Sequence, residues 1–567
     1  MPWAITVWPD RGQYRPGAAV GLVASVEGAP GSAVTVRVEI RERAAVVANL
    51  IAPVTLDATG HRRITLSWQP PTGGAAWRAF GADASLVQAG NAVATAATAF
   101  DVAPTWGYAP RYGFLSDFRP GGSAEQDAET LDHLLRLHIS CVQFYDWMYT
   151  HYDYLPPTTV FTDVLGRTVD FDAVRRRVQF CRARGMAPIA YGSVYGAEKP
   201  FSDAHPDWLL YDGAGNPYNL ANLFFIQDPS PESGWRQYLL GAYKQALDLG
   251  FAGIHCDTYG SPKAGLTHDG RLVRLDEVLP GLMADAQALA EAADPVEGGC
   301  MLNNVKAWPL ESMAKAPGST LYSEVWPPEV TYHDLHELIL RHRRLDTRRQ
   351  PILAAYLEPF YPKHERPEGA MAGLRLASAT IFASGGFHLL PGEGQGILAH
   401  AYYPDHGRLS AEDWAVVQAY WDFQTRYGPL LADPSAVDVT VANCGNGAQE
   451  SQYGGEGLAF SAKALPGTVW TILKDGPGYR TVNLLNLTAV TTPEWNAAQP
   501  DAPELKGIEV RLECLKAPRA VWWASPDVEG GKPQPLPYRL EPAPGAGQVL
   551  TCTLPTLRYW DLLVVEA

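Results

Sequence analysis

The stretch "GWRQYLLGAYKQALDLGFAGIHCDTYG" (234–260) joins a helical pattern to a short apolar run, and this pairing indicates the fold. Residues 234–250 carry apolar side chains at helical spacing and end at Gly250, which suits a helix C-terminus. The run 253–260 then reads as a buried strand that reaches Asp257 at its end. An ionised carboxylate is costly to desolvate unless a partner stabilises it. Asp257 is therefore either a structural acid held by neighbours or an acid that faces a cleft and does chemistry.

The same strand-and-helix rhythm extends over residues 104–432 and predicts a central (β/α)8 TIM barrel. Candidate strands alternate with helix-compatible segments such as 128–138 and 170–185. The candidate strands are residues 111–118, 141–147, 187–194, 253–260, 300–305, 319–326, 351–359 and 379–390. Such repeated alternation is typical of a parallel barrel, whose active site lies at the C-terminal ends of its strands.

The two ends of the chain follow a different pattern, with short runs rich in Val, Ile and Thr between Gly- and Pro-rich turns. In residues 1–103, the runs 33–40, 61–68 and 94–102 predict an N-terminal Ig-like β-sandwich. In residues 433–567, the runs "VDVTVANC", "TVWTILKD", "RTVNLLNLTAV", "GIEVRLECL", "RAVWWAS" and "YWDLLVVEA" predict a C-terminal Greek-key β-sandwich. We therefore expect a multidomain protein with the barrel between two sandwiches.

The composition restricts the class of partner. The 567 residues carry a net charge of −16, which argues against a nucleic acid or an anionic membrane and permits a neutral substrate. The 17 Trp and 26 Tyr suit carbohydrate binding, although β-rich domains also bury many aromatic side chains. Seven cysteines lie without a CxxC spacing, so we expect mostly free thiols. The N-terminus lacks a signal-peptide pattern, which leaves a cytoplasmic protein or a secreted one with its signal removed.

Polar residues end most of the candidate strands, where a barrel places its active site. These residues are Asp117, Asp146, Asp257, Asn303, Asn304, Glu324, Glu358, His388 and Glu393. We find no HExxH motif and no convincing phosphate loop, and we expect no metal or cofactor. Carboxylates and aromatic side chains together favour cleavage of a glycosidic bond, which uses one protonated and one ionised acid. We select Asp257 and Glu324 as that pair, because Trp326 beside Glu324 can raise its pKa by excluding water.

Four segments in register resemble glycoside hydrolase family 66, the family of dextranases and cycloisomaltooligosaccharide glucanotransferases. They are "VQFYDWMYTHYDYLPP" (142–157), "GFAGIHCDTYG" (250–260), "LYSEVWP" (321–327) and "GGFHLLPGEGQGILAHAYYPDH" (385–406). The closing "TLRYWDLLVV" (556–565) also resembles the C-terminal end of that family. The polar His255 in "HCDT" departs from the family pattern, and it either changes a subsite or fills the barrel.

The resemblance implies a retaining hydrolase that cleaves α-1,6-glucosidic bonds of dextran or isomaltooligosaccharides. We expect it to be endo-acting and monomeric. Asp257 would be the nucleophile and Glu324 the acid/base, with their carboxyl groups about 5 Å apart. We expect the substrate to contact Tyr145, Asp146, Tyr259, Asn303, Asn304, Trp326, His388 and Glu393.

Three alternatives remain open from the sequence. A glucanotransferase would form cyclic or longer isomaltooligosaccharides, but residues 324–386 are too few to hold the inserted carbohydrate-binding module of the ring-forming members. A non-catalytic glucan-binding protein would not need both acids. An α-galactosidase-type barrel usually has Asp as its acid/base, whereas this chain has Glu324.

Overall fold

The structure is a computed structural model that describes residues 2–443, 450–543 and 547–567. Its N-terminal region consists of two facing antiparallel sheets. One sheet contains the strands Ala4–Pro9, Val20–Glu27 and His61–Trp68, and the other contains Ala45–Thr55, Ala33–Glu42, Arg78–Gln88 and Asn91–Val102. Alternate side chains of the Ala33–Glu42 strand, from Val34 to Ile40, are buried, as the two-residue period of a strand requires. Side chains of both sheets share one apolar core.

The middle of the chain forms a curved sheet that is rich in parallel strands. In chain order its parallel strands are Tyr112–Leu115, Cys141–Phe144, Ala187–Ser193, Gly253–Asp257, Met301–Val305, Leu321–Glu324, Pro351–Ala354, Phe387–His388 and Pro391–Gly392. The short strands Gly396–Ile397 and Gly407–Arg408 add to it in antiparallel orientation. Phe387–His388 pairs with Pro351–Ala354, and Pro391–Gly392 pairs with the first strand through Gly392 and Phe114. The segment 387–392 therefore contacts both ends of the run of parallel strands.

Helices follow these strands and cover the outer face of the sheet. Their bounds are Ala124–Leu135, Phe171–Ala183, Lys199–Ala204, Gly234–Asp248, Leu275–Ala293, Leu310–Met313, Tyr332–Leu345, Ala370–Ser384 and Ala411–Leu431. The helix Gly234–Asp248 begins where the Ser233 side chain accepts a hydrogen bond from the Trp235 N–H. It ends before Gly250, whose φ of 101° lies in the left-handed region that glycine favours.

One candidate strand of the sequence analysis was wrong. Residues 379–384 of the stretch 379–390 are the end of the helix Ala370–Ser384, and only Phe387–His388 within that stretch is a strand. Almost every side chain of this helix is buried, so it shows no polar face. A short apolar run of this kind has no period that separates a buried strand from a buried helix.

Short hairpins extend from the C-terminal ends of the parallel strands. They are formed by Val160–Thr162 with Thr168–Asp170, by Gly196–Glu198 with Phe224–Ile226 and Asn219–Leu220, and by Ala264–Leu266 with Leu272–Arg274. Single turns of 3-10 helix occur at Trp106–Tyr108, Pro206–Trp208, Glu358–Phe360, Glu393–Gln395, Tyr403–Asp405 and Glu529–Gly531. The hairpins form the rim around the polar ends of the strands, whereas the turn Trp106–Tyr108 precedes the first parallel strand and the turn Glu529–Gly531 belongs to the C-terminal region.

The C-terminal region again contains two facing sheets with a shared core. One contains Val437–Asp438, Phe460–Ser461, Val469–Gly476, Tyr479–Asn486, Trp560–Glu566, Ala520–Ala524 and Gln534–Pro535; the other contains Ser451–Gly454, Ile508–Cys514, Gln548–Leu554 and Tyr538–Pro542. The predicted strand "VDVTVANC" (437–444) is only partly correct, because Thr440–Asn443 is a short helix and Cys444 lies outside the described residues. In the described part of the chain, Cys141, Cys181, Cys256, Cys300, Cys514 and Cys552 are free thiols.

Buried ion pairs join the regions. Asp101, on the last N-terminal strand, accepts two hydrogen bonds from the Arg111 guanidinium at 2.6 and 3.0 Å. Asp83 similarly accepts two from Arg426 on the helix Ala411–Leu431, at 2.8 and 2.9 Å. Such two-bond pairs fix orientation as well as distance. The N-terminal sheets are thus held against the parallel sheet and its last helix.

Candidate active site

Three neighbouring parallel strands carry the central polar residues of the candidate site. Asp257 ends the strand Gly253–Asp257, Asn303 lies on Met301–Val305, and Glu324 ends Leu321–Glu324. Cys256 is paired with Leu302, and Val305 with Glu324, so the three side chains lie at similar heights along the sheet. They reach the same edge because the carboxyl ends of parallel strands meet there.

The Asn303 side chain bridges the two selected acids. Its Nδ2 donates to Asp257 Oδ1 at 2.7 Å and to Glu324 Oε2 at 3.0 Å. The two carboxylate oxygens are therefore separated by at most the sum of these distances, about 5.7 Å. Carboxyl groups of retaining glycosidases are about 5–5.5 Å apart, and those of inverting enzymes about 6.5–9.5 Å. For this pair of oxygens, the upper limit lies below the inverting range.

Each acid also accepts a hydrogen bond from its own tyrosine. The Tyr191 hydroxyl donates to Asp257 Oδ2 at 2.9 Å, and the Tyr356 hydroxyl donates to Glu324 Oε1 at 2.7 Å. With Asn303, these bonds occupy both oxygens of both carboxyl groups. Hydrogen bonds to a carboxylate stabilise its charged form and hold its plane in one orientation.

Burial makes both acids hard to ionise. Removal from water raises the pKa of Asp257 to about 7, and the nearby charge of Glu324 adds to the rise. Burial also raises the pKa of Glu324, while hydrogen bonds from Asn303, Tyr356 and Trp326 oppose that change. The contact of Trp326 with Glu324 therefore lowers this pKa, whereas the sequence analysis expected Trp326 to raise it. Two carboxyl groups this close repel one another when both are charged, so the site favours ionisation of one acid over ionisation of both.

The acids open into a cavity of about 530 Å³ at the C-terminal ends of the strands. The predicted binding residues that line it are Tyr145, Asp146, Tyr259, Asn303 and Trp326. The Tyr145 ring stacks on Tyr403 with ring centres 4.3 Å apart, and Trp326 contacts Tyr356 edge-on at 5.8 Å. Aromatic faces and hydroxyl-binding groups therefore surround the carboxyl pair.

Asp146 lies on the cavity wall in an unusual backbone conformation. Its φ is 44°, a value that is rare for a residue with a side chain and that occurs at sites where surrounding structure enforces it. Its carboxylate lies 3.8 Å from His151 Nε2 and 3.5 Å from Arg167 Nη2. Burial opposes a charge on His151, but the hydrogen bond that its Nδ1 donates to the Glu198 carboxylate helps to raise its pKa overall. This group presents both donors and acceptors to the cavity.

Three predicted binding residues do not line the cavity. Asn304 donates through Nδ2 to the backbone oxygens of Leu302 and Tyr322, so it joins two strands. His388 is buried, and its ring nitrogens contact the Ala355 oxygen and the Ser378 hydroxyl. We therefore treat both as groups that hold the sheet.

Glu393 also bonds within the protein instead of facing the cavity. One of its oxygens accepts hydrogen bonds from the backbone and hydroxyl of Ser116 and from the backbone of Asp117, at 2.7–2.9 Å. The other lies 3.2 Å from Arg177. Because Ser116 and Asp117 follow the first parallel strand, Glu393 fastens the last segment of the sheet to that strand.

Comparison with known proteins identifies the family. The sequence profile described as "Glycosyl hydrolase family 66" matches residues 9–564. The chain belongs to glycosyl hydrolase family 66. Within family 66, it is 22% identical to a cycloisomaltooligosaccharide glucanotransferase of Niallia circulans, with 99% of this chain and 71% of the relative covered. It is 24% identical to a dextranase of Streptococcus salivarius, with 84% and 66% covered.

Solved structures agree in fold. A Paenibacillus sp. cycloisomaltooligosaccharide glucanotransferase, solved in complex with cycloisomaltoheptaose, superposes with a TM-score of 0.89 at 20% identity over 98% of this chain and 99% of that one. An α-L-fucosidase of Paenibacillus thiaminolyticus gives a TM-score of 0.53 at 11% identity over 81% of this chain and 99% of that one. This chain therefore shares its whole architecture with the Paenibacillus glucanotransferase.

Sequence reasoning missed several residues of the family 66 cavity. Tyr191, Tyr356, Tyr403 and His151 line it or bond to its acids. Tyr191 lies within the candidate strand 187–194 and Tyr356 near the end of the candidate strand 351–359, and a polar hydroxyl in an otherwise apolar strand is the signal that could have found them. His255, which departed from the family pattern, forms part of the cavity floor; burial lowers its pKa to about 3, so it is neutral there.

Two further searches bear on the class of site. In the residues that the structure describes, no group of three or more His, Cys, Asp or Glu side chains is arranged to hold a metal ion. None of the described helices has the length and apolar character needed to cross a bilayer.

Proposed function

We propose that the chain is a retaining glycosidase that cleaves α-1,6-glucosidic bonds of dextran or isomaltooligosaccharides by double displacement. The observation that carries this proposal is the pair Asp257 and Glu324, held by one Asn303 nitrogen within a cavity. The limit of about 5.7 Å between their bridged oxygens supports retention, since an inverting enzyme needs a wider gap for water.

In the first step of the proposed mechanism, an oxygen of Asp257 attacks the anomeric carbon of the bound sugar. Glu324 donates its proton to the glycosidic oxygen, and the bond between that oxygen and the anomeric carbon breaks. The products are a covalent glycosyl ester on Asp257 and a free sugar hydroxyl on the leaving chain.

In the second step, Glu324 takes a proton from a water molecule, whose oxygen attacks the same carbon from the opposite side. The ester bond breaks, Asp257 regains its carboxylate, and Glu324 regains its proton. A sugar hydroxyl in place of water gives transfer instead of hydrolysis.

Asn303, Tyr191 and Tyr356 are positioning residues in this proposal. They hold both carboxyl planes and stabilise the negative charge that moves between the two acids during the cycle. Tyr145, Asp146, Tyr259 and Trp326 form the proposed sugar-binding wall. An acidic chain with many cavity aromatics suits a neutral polyhydroxylated ligand, and the names of the family 66 relatives point to isomalto-linked glucans.

We further propose that the curved sheet is a closed (β/α)8 barrel of residues 104–432. The contacts of the segment 387–392 with the strands Pro351–Ala354 and Tyr112–Leu115 support closure. Residues 1–103 and 433–567 are then an Ig-like and a Greek-key sandwich flanking it.

Hydrolysis is the outcome that we favour over transfer. Between Glu324 and Gly386 the structure contains only two helices, one strand and a 3-10 turn, which leaves no room for an inserted sugar-binding module. The second candidate is a cycloisomaltooligosaccharide glucanotransferase, because the relatives with 99% of this chain covered carry that name.

The test combines active-site variants with product analysis on dextran. Asp257→Asn and Glu324→Gln should each lower the release of reducing ends by at least about a thousandfold, because each removes one partner of the chemical step. Asp207→Asn and Glu456→Gln, which change exposed acids, serve as matched controls. NMR spectra recorded during the first minutes of dextran cleavage should show the α-anomer of the newly formed reducing end. A β-anomer as the first product would refute retention. Linear products support hydrolysis, and cyclic products support transfer.

A further inference from the structure

We propose that the chain binds an α-glucan strand at a second site, in a cavity at the opposite end of the parallel sheet from the catalytic pair. The inference rests on the proposed function, because it takes the same polymer as the ligand of both sites. The cavity measures about 700 Å³, within the range of about 300–1,000 Å³ that is usual for small-molecule sites. We call it the basal cavity.

The position of the basal cavity separates it from the chemistry. Tyr108, Gly298, Ser319 and Gln350 line it, and each comes shortly before a parallel strand. These residues lie at the N-terminal ends of the strands, whereas Asp257 and Glu324 lie at the C-terminal ends. One sugar residue cannot contact both places, but a polymer can.

Tyr108 gives the basal cavity an exposed aromatic surface. Tyr108 is 41% exposed. The 3-10 turn Trp106–Tyr108 is anchored by Trp106, which is buried and donates from its indole nitrogen to the Glu297 oxygen at 2.9 Å. Within the described ranges, the Tyr108 ring has no aromatic contact and its hydroxyl no hydrogen bond. An exposed, unpaired ring on an anchored turn suits stacking on the apolar face of a sugar.

Charged groups of both signs line the basal cavity together with Tyr108. Arg43, Arg348, Glu291 and Asp433 all line the cavity, where Glu291 accepts a hydrogen bond from Gln287 and Asp433 accepts one from Tyr479. The Arg43 guanidinium lies 5.1 Å from the Tyr479 ring centre and, among the described residues, has no carboxylate at ion-pair distance. The Arg348 side chain is 87% exposed and also forms an ion pair with Asp346 at 3.2 Å. Mixed signs disfavour a phosphate or another anion and suit neutral hydroxyl groups, which both donate and accept.

A glucan held in the basal cavity raises the local concentration of its remaining units near the catalytic end. This is the usual gain from linking two binding events through one polymer. The gain requires a chain long enough to span the sheet, so short isomaltooligosaccharides should not show it.

The first experiment measures binding without turnover. In the Asp257→Asn background, Tyr108→Ala should weaken retardation in dextran-containing gels by at least about fivefold, since one aromatic stacking contact is lost. Arg348→Ala should also weaken it. Tyr538→Ala, which changes a similarly exposed tyrosine outside the cavity, is the matched control and should leave it unchanged. Equal retardation of Tyr108→Ala and Tyr538→Ala would overturn the second site.

The second experiment uses the active chain. Tyr108→Ala should raise KM for long dextran about fivefold or more and leave kcat on dextran and both constants for isomaltotriose unchanged. A general structural defect would change both substrates and would count against the proposal.

The two proposals fail separately. If the protein without any substitution binds dextran through Tyr108 but does not cleave it, the second site stands and the proposed activity is wrong. If dextran is cleaved and Tyr108 has no effect, the activity stands and the second site is wrong.

Discussion

At the residue scale, Tyr191 and Tyr356 each bond to one acid, which allows the two carboxyl groups to be perturbed separately. Removing the Tyr191 hydroxyl should raise the pKa of Asp257, and removing that of Tyr356 should raise the pKa of Glu324. The nucleophile must be ionised, so Tyr191→Phe should move the acidic limb of the kcat/KM profile to higher pH by about one unit. The acid must be protonated, so Tyr356→Phe should move the alkaline limb to higher pH by about as much.

The measurement is the pH dependence of kcat/KM for the parent chain and both phenylalanine variants. Tyr211→Phe, whose hydroxyl bonds to the Pro206 oxygen outside the cavity, is the control and should leave both limbs in place. If Tyr191→Phe moved the alkaline limb and Tyr356→Phe the acidic one, the roles of Asp257 and Glu324 would be exchanged.

The sequence predicted the two acids because a carboxylate at the end of an apolar strand is conspicuous. It did not predict the tyrosines, because a tyrosine in an apolar strand also fits a buried core. Nor could it place Asn303 between Asp257 and Glu324, since that depends on the register of three strands. The hydrogen-bond bridge through Asn303 therefore depends on strand register, and a local sequence pattern does not determine the register.

At the scale of a single element, the strand that carries Asp257 needs a glycine at its start. A β-carbon on Gly253 would lie 1.6 Å from the backbone oxygen of Gly299, an impossible contact. Gly253→Ala should therefore lower the free energy of unfolding by about 3 kcal/mol or more and displace Asp257. Denaturant unfolding and kcat on dextran measure the two effects.

The helix that precedes this strand supplies a matched control. Gly241 lies inside Gly234–Asp248, and a β-carbon there meets no atom within 4 Å. Gly241→Ala should stabilise the protein by about 0.5–1 kcal/mol, because glycine loses more backbone freedom in a helix than alanine does. A loss of stability in both variants would show that Gly253 has no special role.

Elements with a clear period were predictable, and uniformly buried ones were not. The helix Gly234–Asp248 has one apolar and one polar face, and the sequence predicted it close to its observed bounds. The helix Ala370–Ser384 is buried on all sides, so its apolar end was taken for a strand. The residues that pack against this helix determine its structure, and the local sequence does not identify those residues.

At the scale of the whole molecule, buried ion pairs hold the N-terminal sheets in place. Asp101 and Arg111 are both almost fully buried, and Asp101 also accepts from Trp77 and Gln13. Asp101→Asn would leave the charge of Arg111 without a counter-ion in an environment that excludes water. We expect this change to cost about 3–5 kcal/mol in the first unfolding transition.

The control for this prediction is an exposed pair. Asp248→Asn breaks the ion pair with Lys244 on a helix surface and should cost less than about 0.5 kcal/mol. Both variants are measured by denaturant unfolding and by limited proteolysis of the N-terminal region. Equal, small losses would mean that the Asp101 pair does not hold the regions together.

The order of the three regions could be predicted, because strand-rich and alternating segments differ in composition along the chain. The junctions could not, since their partners are remote: Asp83 and Arg426 are 343 residues apart. Charged side chains in a strand or helix normally indicate a solvated face. Only the folded structure shows that Asp83 and Arg426 form a buried ion pair.

The position of Asp257, Asn303 and Glu324 on adjacent strands has a practical consequence for engineering. In the proposed mechanism, the gap between the two reacting acids is set by the spacing of hydrogen-bonded backbones, and the surrounding hairpins only shape the entrance. Libraries that randomise or graft those hairpins should alter which polymer enters and how far it is cut. We expect them to leave the stereochemistry of the product untouched.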